Sequence, residues 1–505
     1  MSIHSANTGS RGLRPLAGCG VEPHKTSEQA VGGEGLLLGA SAYMQERGYS
    51  SEAKASWKED RMSRVVQRVE LVEETGGVVG VLKREGDWQR ADWRWQMTHR
   101  LTALSELQAL VEGFEPSDGQ LRVSMRYPFA VTPYYLSLIE SFTPEDPIFR
   151  MAVPLAEEED DAPALFRDPL AEEEEEHRPV AGLIHRYPDR VVLLMNGLCP
   201  VYCRHCTRKR FVGIEKAAAS SEQIEGWIRY LRETPSIRDV ILSGGDPLTL
   251  SDSRLERVIA AVRSVPSVEI IRIGTRIPVL MPMRITSELC AMLERYHPIW
   301  VVTHFNHPRE LTAQAAQACD RLLRAGVPVN NQSVLLRGIN DHPDILEALC
   351  RKLLMNRIKP YYLHQSDLVQ GIEHLRTPIS RGIQIMEALR GRLGGLGIPQ
   401  YVIDLPRGGG KVPILPNYIL SMSPEYTVLR NFEGRIVTYP EPRISAASRV
   451  GVNQQEGEGE QGKRAGIGGR MRGGVADQLA GLDTRPLIPQ KPDTGGSAKG
   501  ENGDR

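Results

Sequence analysis

The sequence predicts an α/β fold built on a parallel sheet, open or closed, between residues 187 and 406. Short β-branched runs alternate there with stretches of helical period, which is typical of βαβ units. In such folds ligands bind at the carboxyl ends of the strands, so we expect the functional site at that edge. The runs are Val191–Leu194, Asp239–Leu242, Glu269–Ile273, Ile299–Thr303, Val327–Leu336, Pro360–Leu363 and Tyr401–Ile403; the helical stretches include Gln223–Arg232, Leu255–Val262, Leu311–Arg324 and Ile383–Leu393.

The composition divides the chain into five regions. Residues 1–85 are rich in Gly, Ser and Glu, and 443–505 are rich in Gly with few large apolar groups, so we expect poorly structured or disordered extensions. Between them we expect a helical region over 86–180 that packs on the core, the sheet domain over 181–406, and a lysine-bearing loop with a C-terminal segment over 407–442. Two acidic runs, Glu157–Asp161 and Glu172–Glu176, are typical of solvated loops.

The overall composition limits the partners and the compartment. The net charge of −1 over 505 residues offers no basic field for nucleic acid or an anionic membrane. No apolar run approaches the roughly 18 residues of a membrane span. Seven thinly spread cysteines favour a reducing compartment, and we expect the cytoplasm. An organelle is the alternative if the first 21 residues, which lack acidic side chains and contain Arg11 and Arg14, are a transit peptide.

Three cysteines lie in one short loop after the first predicted strand. Cys199, Cys203 and Cys206 have C-x3-C-x2-C spacing, which gathers three thiolates and leaves no fourth. A [4Fe–4S] cluster held by three cysteines keeps one iron open to a small molecule, and thiolates are preferred ligands of such clusters. Structural zinc with His205 as a fourth ligand, or inert thiols, are the alternatives. We therefore predict an open-iron cluster here.

A pair of glycines follows the second predicted strand. Gly244 and Gly245 allow the backbone to approach a ligand closely, and Asp246 is an anion suited to an ammonium group. The alternative is a tight strand-to-helix turn with Asp246 near an N-cap. The position of this segment at a strand end favours membership of the same site as the cysteines.

Two groups of basic residues suit a phosphorylated aldehyde. Lys411 lies in a glycine-rich loop, Arg407–Pro413, from which it could form a Schiff base with pyridoxal phosphate. Arg186 and Arg190 could bind a phosphate. Taken alone, however, these residues favour an exposed loop lysine and a surface ion-pair cluster.

Together these residues resemble the lysine 2,3-aminomutases, radical S-adenosylmethionine (SAM) enzymes that also use pyridoxal phosphate. So many long matches in the same order are specific to the family, whereas the cysteine spacing alone indicates only the radical SAM superfamily. The likeness runs from about Asp87 to Pro442. It is carried by Trp93–Gln96, Tyr134–Leu138, His185–Arg190, Cys199–Phe211, Ser243–Leu248, His304–Pro308, Asn331–Gly338, Pro360–Leu368, Asp404–Tyr418 and Leu429–Gly434.

The resemblance implies a fold and a set of cofactor sites. The fold would be a partial (βα)6 TIM-like barrel of the radical SAM type, open on one side, with N- and C-terminal extensions. The open iron of the [4Fe–4S] cluster would chelate SAM, whose radical would start the migration of an amino group from C2 to C3. The implied contacts are Gly244, Gly245, Asp246 and Gln332 for SAM, Lys411, Arg186 and Arg190 for pyridoxal 5′-phosphate, and Arg208 for the substrate carboxylate.

Two aspartates suggest the substrate. In lysine-specific members, aspartates at the positions of Asp367 and Asp404 bind the side-chain ammonium, as a desolvated cation requires. We therefore expect L-lysine as substrate and L-β-lysine as product. Arginine is an alternative because a guanidinium also pairs with carboxylates, and glutamate or a protein lysine are others. A radical SAM reaction without pyridoxal, and a non-catalytic Fe–S or zinc scaffold, also stay open.

The resemblance also implies partners, and the chain departs from it in places. An external electron donor of the flavodoxin or ferredoxin type and a homo-oligomer are expected. Well-studied lysine members hold zinc between subunits with a cysteine after an Arg-Gly-x-Asn-Asp turn and a late cysteine cluster. Here that turn, Arg337–His342, contains no cysteine and none follows Cys350, so we expect no zinc site. Arg407 replaces an expected glycine and should stiffen the loop around Lys411.

Overall fold

A computed structural model describes residues 92–160, 162–214 and 217–442. The expectations for the extensions, 1–85 and 443–505, fall outside these residues. Within the described ranges, no helix has the length and apolar character needed to cross a membrane.

The first described residues form short helices that pack on the sheet domain. Their caps explain where they start: Ser117 forms a capping box with Gln120, and the Asp146 carboxylate accepts two backbone N–H bonds at the start of the fifth helix. The apolar face of the second helix, with Leu107 fully buried, joins the main hydrophobic core. The helices are α1 (Trp93–Thr98), α2 (Leu104–Leu110), α3 (Asp118–Arg126), α4 (Pro133–Leu136) and α5 (Pro147–Ala152).

A nine-stranded sheet forms the centre of the fold, and its strands are neighbours in chain order. Strands two to eight run parallel, and the first and ninth each pair antiparallel at one edge. The strands are β1 (Leu183–Tyr187), β2 (Arg190–Leu194), β3 (Asp239–Ser243), β4 (Ile270–Gly274), β5 (Ile299–Thr303), β6 (Val329–Leu335), β7 (Lys359–Gln365), β8 (Gln400–Leu405) and β9 (Gly410–Pro413).

Helices connect the parallel strands and give six βα units followed by β8. All seven strands expected from the β-branched runs are present, and the partial (βα)6 barrel is confirmed. Within the described residues β1 and β9 do not pair, so the sheet is open on one side. The connecting helices are α6 (Ser221–Glu233), α7 (Asp252–Arg263), α8 (Ile277–Leu280), α9 (Ser287–Glu294), α10 (Ala313–Arg324), α11 (Pro343–Met355) and α12 (Ile379–Leu389).

The expectation that Lys411 lies on a loop is wrong. Lys411 lies on β9, directly opposite Asp404 of β8 in an antiparallel hairpin. Gly408 and Gly410 have φ of +76° and +86°, so the glycines form the tight turn that returns the chain to the sheet edge. Arg407 also has a positive φ, and its backbone N–H donates to the Pro169 carbonyl at 2.8 Å.

A second, smaller sheet follows the hairpin. It contains β10 (Ile419–Met422), β11 (Tyr426–Arg430) and β12 (Ile436–Pro440), which pair antiparallel in that order. Every residue of β10 and β12 is exposed within the described part of the chain. This sheet therefore presents an apolar surface that includes Ile419, Met422, Ile436 and Tyr439.

Candidate active site

The cysteine loop leaves the carboxyl end of β2, as the sequence predicts. Cys199, Cys203 and Cys206 are half-buried free thiols. Burial raises the pKa of Cys199 and Cys206, so these thiols need a positive partner to ionise. The third sulfur, that of Cys203, accepts a hydrogen bond from Nη1 of Arg276 at 2.7 Å.

The spacing of the three sulfurs fits a cluster better than a zinc ion. In the described residues, the one set of three His, Cys, Asp or Glu side chains whose ligand atoms all lie within 4.8 Å of one another is Glu174, Glu176 and His177. Tetrahedral zinc with bonds of about 2.3 Å needs its sulfurs about 3.8 Å apart. A [4Fe–4S] cluster bonds each cysteine to a different iron and accepts a wider spacing.

Arg276 fixes one side of the cysteine loop, and the sequence analysis did not name it as a site residue. It follows β4, and its guanidinium bonds to the His304 carbonyl at 3.0 Å and to Glu310 at 2.5 Å as well as to Cys203. Arg276 therefore places a positive charge in contact with the Cys203 sulfur. The position of Arg276 at the end of a predicted strand was the one sequence feature that could have identified it.

The two acidic runs are not solvated loops throughout, which corrects that expectation. Glu158 is fully buried, and its carboxylate bonds to Arg204 at 2.8 and 2.6 Å and to Lys209 at 2.6 Å. Burial works against ionisation, yet the charges of Arg204 and Lys209 lower the pKa of Glu158 to about 2. Glu158 therefore supplies an anion to the basic residues of the cysteine loop. No local sequence pattern connects Glu158 with those residues.

Glu172, from the second acidic run, also pairs with basic residues of the cysteine loop. Its carboxylate bonds to Arg208 at 3.0 and 2.8 Å and to Arg210 at 2.8 Å. Although burial opposes ionisation of this carboxyl group, the charge of Arg208 lowers the pKa of Glu172 to about 2. Arg208 also donates from Nη1 to Ser243 at 3.1 Å, so one edge of its guanidinium is held and its orientation is fixed.

Gly244 and Gly245 lie against the backbone of the cysteine loop. A Cβ on Gly244 would be 2.4 Å from the Asn196 carbonyl oxygen, and one on Gly245 would be 2.5 Å from that of Leu198. Asp246 caps the following turn, accepting from the Leu248 N–H, and also accepts from Thr275. The strand-to-helix turn with an Asp cap is thus present, and burial raises the pKa of Asp246 to about 6.

Lys411 lies at the centre of a charged group at the end of β7, β8 and β9. Its ammonium donates to Asp404 at 2.5 Å, and its Nζ lies 3.3 Å from Nδ1 of His364. Burial opposes the ionisation of Asp404, but the hydrogen bond with His364 and the charge of Lys411 hold the pKa of Asp404 well below its usual range. Burial and the negative charge of Asp404 raise the pKa of Asp367 to about 7. Asp367 accepts from Thr207 of the cysteine loop at 2.8 Å, which joins the two groups.

The remaining predicted residues lie elsewhere on the sheet: Arg190 is the first residue of β2 and pairs with Asp239 at the start of β3, so it is at the amino ends of the parallel strands. On β1, the Nε and Nη2 atoms of half-buried Arg186 have no hydrogen-bond partner in the described chain. The next residue, Tyr187, places its hydroxyl 3.8 Å from a Cβ built on Gly410, beside Lys411. Arg190 pairs with Asp189 at 2.9 Å and is partly exposed. On β6, Gln332 bonds to the His304 ring at 2.8 Å, a histidine that sequence analysis did not single out.

Comparisons with known proteins agree with this arrangement. The sequence profile of the radical SAM superfamily matches residues 193–349, and that of lysine-2,3-aminomutase matches 386–476. The chain is 50% identical to L-lysine 2,3-aminomutase of Fusobacterium nucleatum over 352 residues, which are 70% of this chain and 82% of that one. The chain belongs to the lysine 2,3-aminomutase family.

Other members of the lysine 2,3-aminomutase family match over a similar length. The chain is 47% identical to L-lysine 2,3-aminomutase of Clostridium subterminale over 79% of this chain and 95% of that one. It is 41% identical to glutamate 2,3-aminomutase of Clostridioides difficile over 74% of this chain and 87% of that one. The family profile extends to residue 476, beyond Pro442, where the resemblance was expected to end.

As a member of this family the chain is an isomerase that uses a [4Fe–4S] cluster, SAM and pyridoxal phosphate. The residues present fit these groups. The three sulfurs are too widely spaced for zinc, the guanidinium of Arg186 has unpartnered donors suited to a phosphate, and Lys411 is held on a strand opposite Asp404.

Proposed function

We propose that the chain converts L-lysine to L-β-lysine by moving the amino group from C2 to C3. The observation that carries this proposal is the pair of carboxylates, Asp367 and Asp404, beside Lys411 at the sheet edge that also holds the cysteine loop. A side-chain ammonium removed from water needs this opposite charge. The substrate is a small amino acid, which suits a site built from side chains at strand ends.

The cofactors supply the difficult chemistry, and the protein supplies binding and orientation. When bound, the cluster with SAM supplies a 5′-deoxyadenosyl radical, and pyridoxal phosphate supplies an imine through which the amino group migrates. Cys199, Cys203 and Cys206 would hold the cluster. Gly244, Gly245, Asp246 and Gln332 would border SAM, with the carboxylate of Asp246 already occupied by its cap bonds.

Lys411 would bind pyridoxal phosphate covalently, with its phosphate at Arg186 and Arg190. The unpartnered donors of Arg186 support this role more strongly than Arg190, which already pairs with Asp189. Arg208 would bind the substrate carboxylate through the guanidinium donors that Glu172 does not use. The substrate would then extend from Arg208, at its carboxylate, to Asp367 and Asp404, at its side-chain ammonium.

Charge argues for lysine among the alternative substrates. Two carboxylates beside Lys411 would repel the side chain of glutamate. The chain is 50% and 47% identical to the two relatives above that are named for lysine, and 41% identical to the one named for glutamate. Arginine is the second candidate because either carboxylate could bind its guanidinium.

We also propose partners and a compartment. A flavodoxin or ferredoxin would deliver the electron, and the half-buried thiols of the loop require a reducing compartment, the cytoplasm. The exposed apolar side chains of the β10–β12 sheet support a homo-oligomer, because clustered apolar groups on a surface are typical of an interface.

The experiment is an anaerobic turnover assay of the full chain loaded with iron, sulfide, pyridoxal phosphate, SAM and a reductant. L-Lysine, L-arginine and L-glutamate are offered together, and the β-isomers are resolved by mass spectrometry. We expect β-lysine as the dominant product. Asp404→Asn and Asp367→Asn should lower kcat/KM by about 10²-fold, because one partner of a buried charge pair is lost.

Asp344→Asn, which removes an exposed carboxylate on α11, is the matched control and should have no effect. A dominant β-isomer of another amino acid would refute the substrate assignment. SAM cleavage without any β-isomer would favour a different radical SAM reaction, and no SAM cleavage would favour a scaffold.

A further inference from the structure

His364 lies between Lys411 and Asp404, and none of the roles assigned above includes it. It is on β7, and its Nδ1 lies 3.3 Å from the Lys411 amine and 3.4 Å from an oxygen of Asp404. Its other nitrogen, Nε2, is buried and has no hydrogen-bond partner in the described chain. The ring packs edge-on against Tyr362 with centroids 5.4 Å apart. A buried imidazole with one open nitrogen beside a reactive amine is suited to proton transfer.

Lys411 needs a proton acceptor before it can react. An ammonium has no lone pair, so the amine must lose a proton before it bonds to an aldehyde carbon. Asp404 is a poor acceptor for this proton, because its carboxylate is already bonded to Lys411 at 2.5 Å and its pKa is held well below its usual range. Among the described residues, the charged or titratable groups that face His364 are Lys411, Asp404, Tyr362 and His304. Burial and the charge of Lys411 lower the pKa of His364, which favours the neutral ring that can accept a proton.

We propose that His364 accepts the proton that Lys411 loses when it bonds to the aldehyde of pyridoxal phosphate, and returns it to the departing oxygen. The Lys411 nitrogen forms a bond to the aldehyde carbon, and the carbonyl electron pair moves to oxygen. The proton held by the imidazolium and the second amine proton go to that oxygen. It leaves as water, and a carbon–nitrogen double bond is formed. The inference rests on the proposed role of Lys411.

The test measures the loading of Lys411 rather than turnover. The cofactor-free chain is mixed with pyridoxal phosphate, samples are trapped with borohydride over time, and the modified Lys411 peptide is quantified by mass spectrometry. We expect His364→Ala to load about 10²-fold more slowly, at the low end of general acid–base catalysis. Added imidazole should restore much of the rate, because it can occupy the space left by the ring. His342→Asn, at an exposed N-cap of α11, is the matched control.

Each result decides between defined possibilities. Slow loading that imidazole restores supports proton transfer by His364. Equal rates in His364→Ala and the unsubstituted chain overturn it, and slow loading that imidazole does not restore overturns it in favour of a packing role. Failure of the unsubstituted chain to modify Lys411 would instead overturn the proposed cofactor site.

Discussion

Replacing Glu158 by Gln should destabilise the chain by about 3 kcal/mol, although Glu158 belongs to an acidic run that looks solvated. The side chains of Glu158 and Arg204 are 0% and 1% exposed. Arg204 Nη2 and Lys209 Nζ each lie 2.6 Å from the same carboxylate oxygen, so the two cations are at most about 5.2 Å apart. The carboxylate is the charge that allows both cations to be buried there.

The magnitude follows from what Gln cannot do. With the anion gone, two unit charges about 5.2 Å apart repel by about 3 kcal/mol at an effective dielectric constant of about 20. Loss of one partner from a buried ion pair costs about 3–5 kcal/mol. Burial has already lowered the pKa of Lys209 to about 8, so this lysine should lose its proton in the variant and relieve part of the repulsion. We therefore expect the lower end of that range.

The assay is equilibrium unfolding in urea of the cofactor-free chain at pH 7, followed by circular dichroism. Glu157→Gln is the matched control, because it removes the same charge one residue away at an exposed position. We expect Glu157→Gln to change the free energy of unfolding by less than about 0.5 kcal/mol. Equal midpoints for the two variants would refute the argument that Glu158 compensates the loop cations.

Three further outcomes follow from the site. The pKa of Asp367 is about 7, and a cation binds the ionised form of this carboxyl group. KM for lysine should therefore rise below pH 7, by up to about tenfold per pH unit. Asp367→Asn should remove this dependence in an initial-rate pH profile. Glu172→Gln should raise KM for lysine about tenfold more than it changes kcat, because it frees Arg208 to rotate; equal effects on both would contradict this. Gly245→Ala should lower the iron bound per chain, measured by metal analysis, because its Cβ would meet the Leu198 carbonyl at 2.5 Å; full iron occupancy would contradict it.

Local sequence patterns were sufficient for the sheet and for the edge that holds the site. The alternation of β-branched and amphipathic stretches depends on side-chain period, which survives without knowledge of distant contacts. Because parallel strands end at a common edge, the cysteine loop and the segment after β3 could be assigned to one site before any coordinates. The sequence-based interpretation of Cys199, Cys203 and Cys206 needed only their spacing.

The features that were missed depend on distant partners. Glu158 bonds to side chains 46 and 51 residues away, so nothing near it in the sequence distinguishes it from its solvated neighbours. Lys411 lies among glycines that locally favour a loop. It is in a strand because the segment pairs with the edge of β8, a contact that the local sequence does not reveal. His364 has no motif around it, and its importance comes from the two side chains on neighbouring strands that it contacts.

The β8–β9 hairpin makes the spacing of Asp404 and Lys411 a property of the backbone. The two residues are directly opposite in an antiparallel ladder, with the turn at 406–409 setting the register. Adding or removing one residue in that turn would shift the ladder and turn one of the two side chains to the opposite face of the sheet. The anion and the amine would then be separated although both side chains were still encoded, so the length of this turn is as restricted as the identity of either residue.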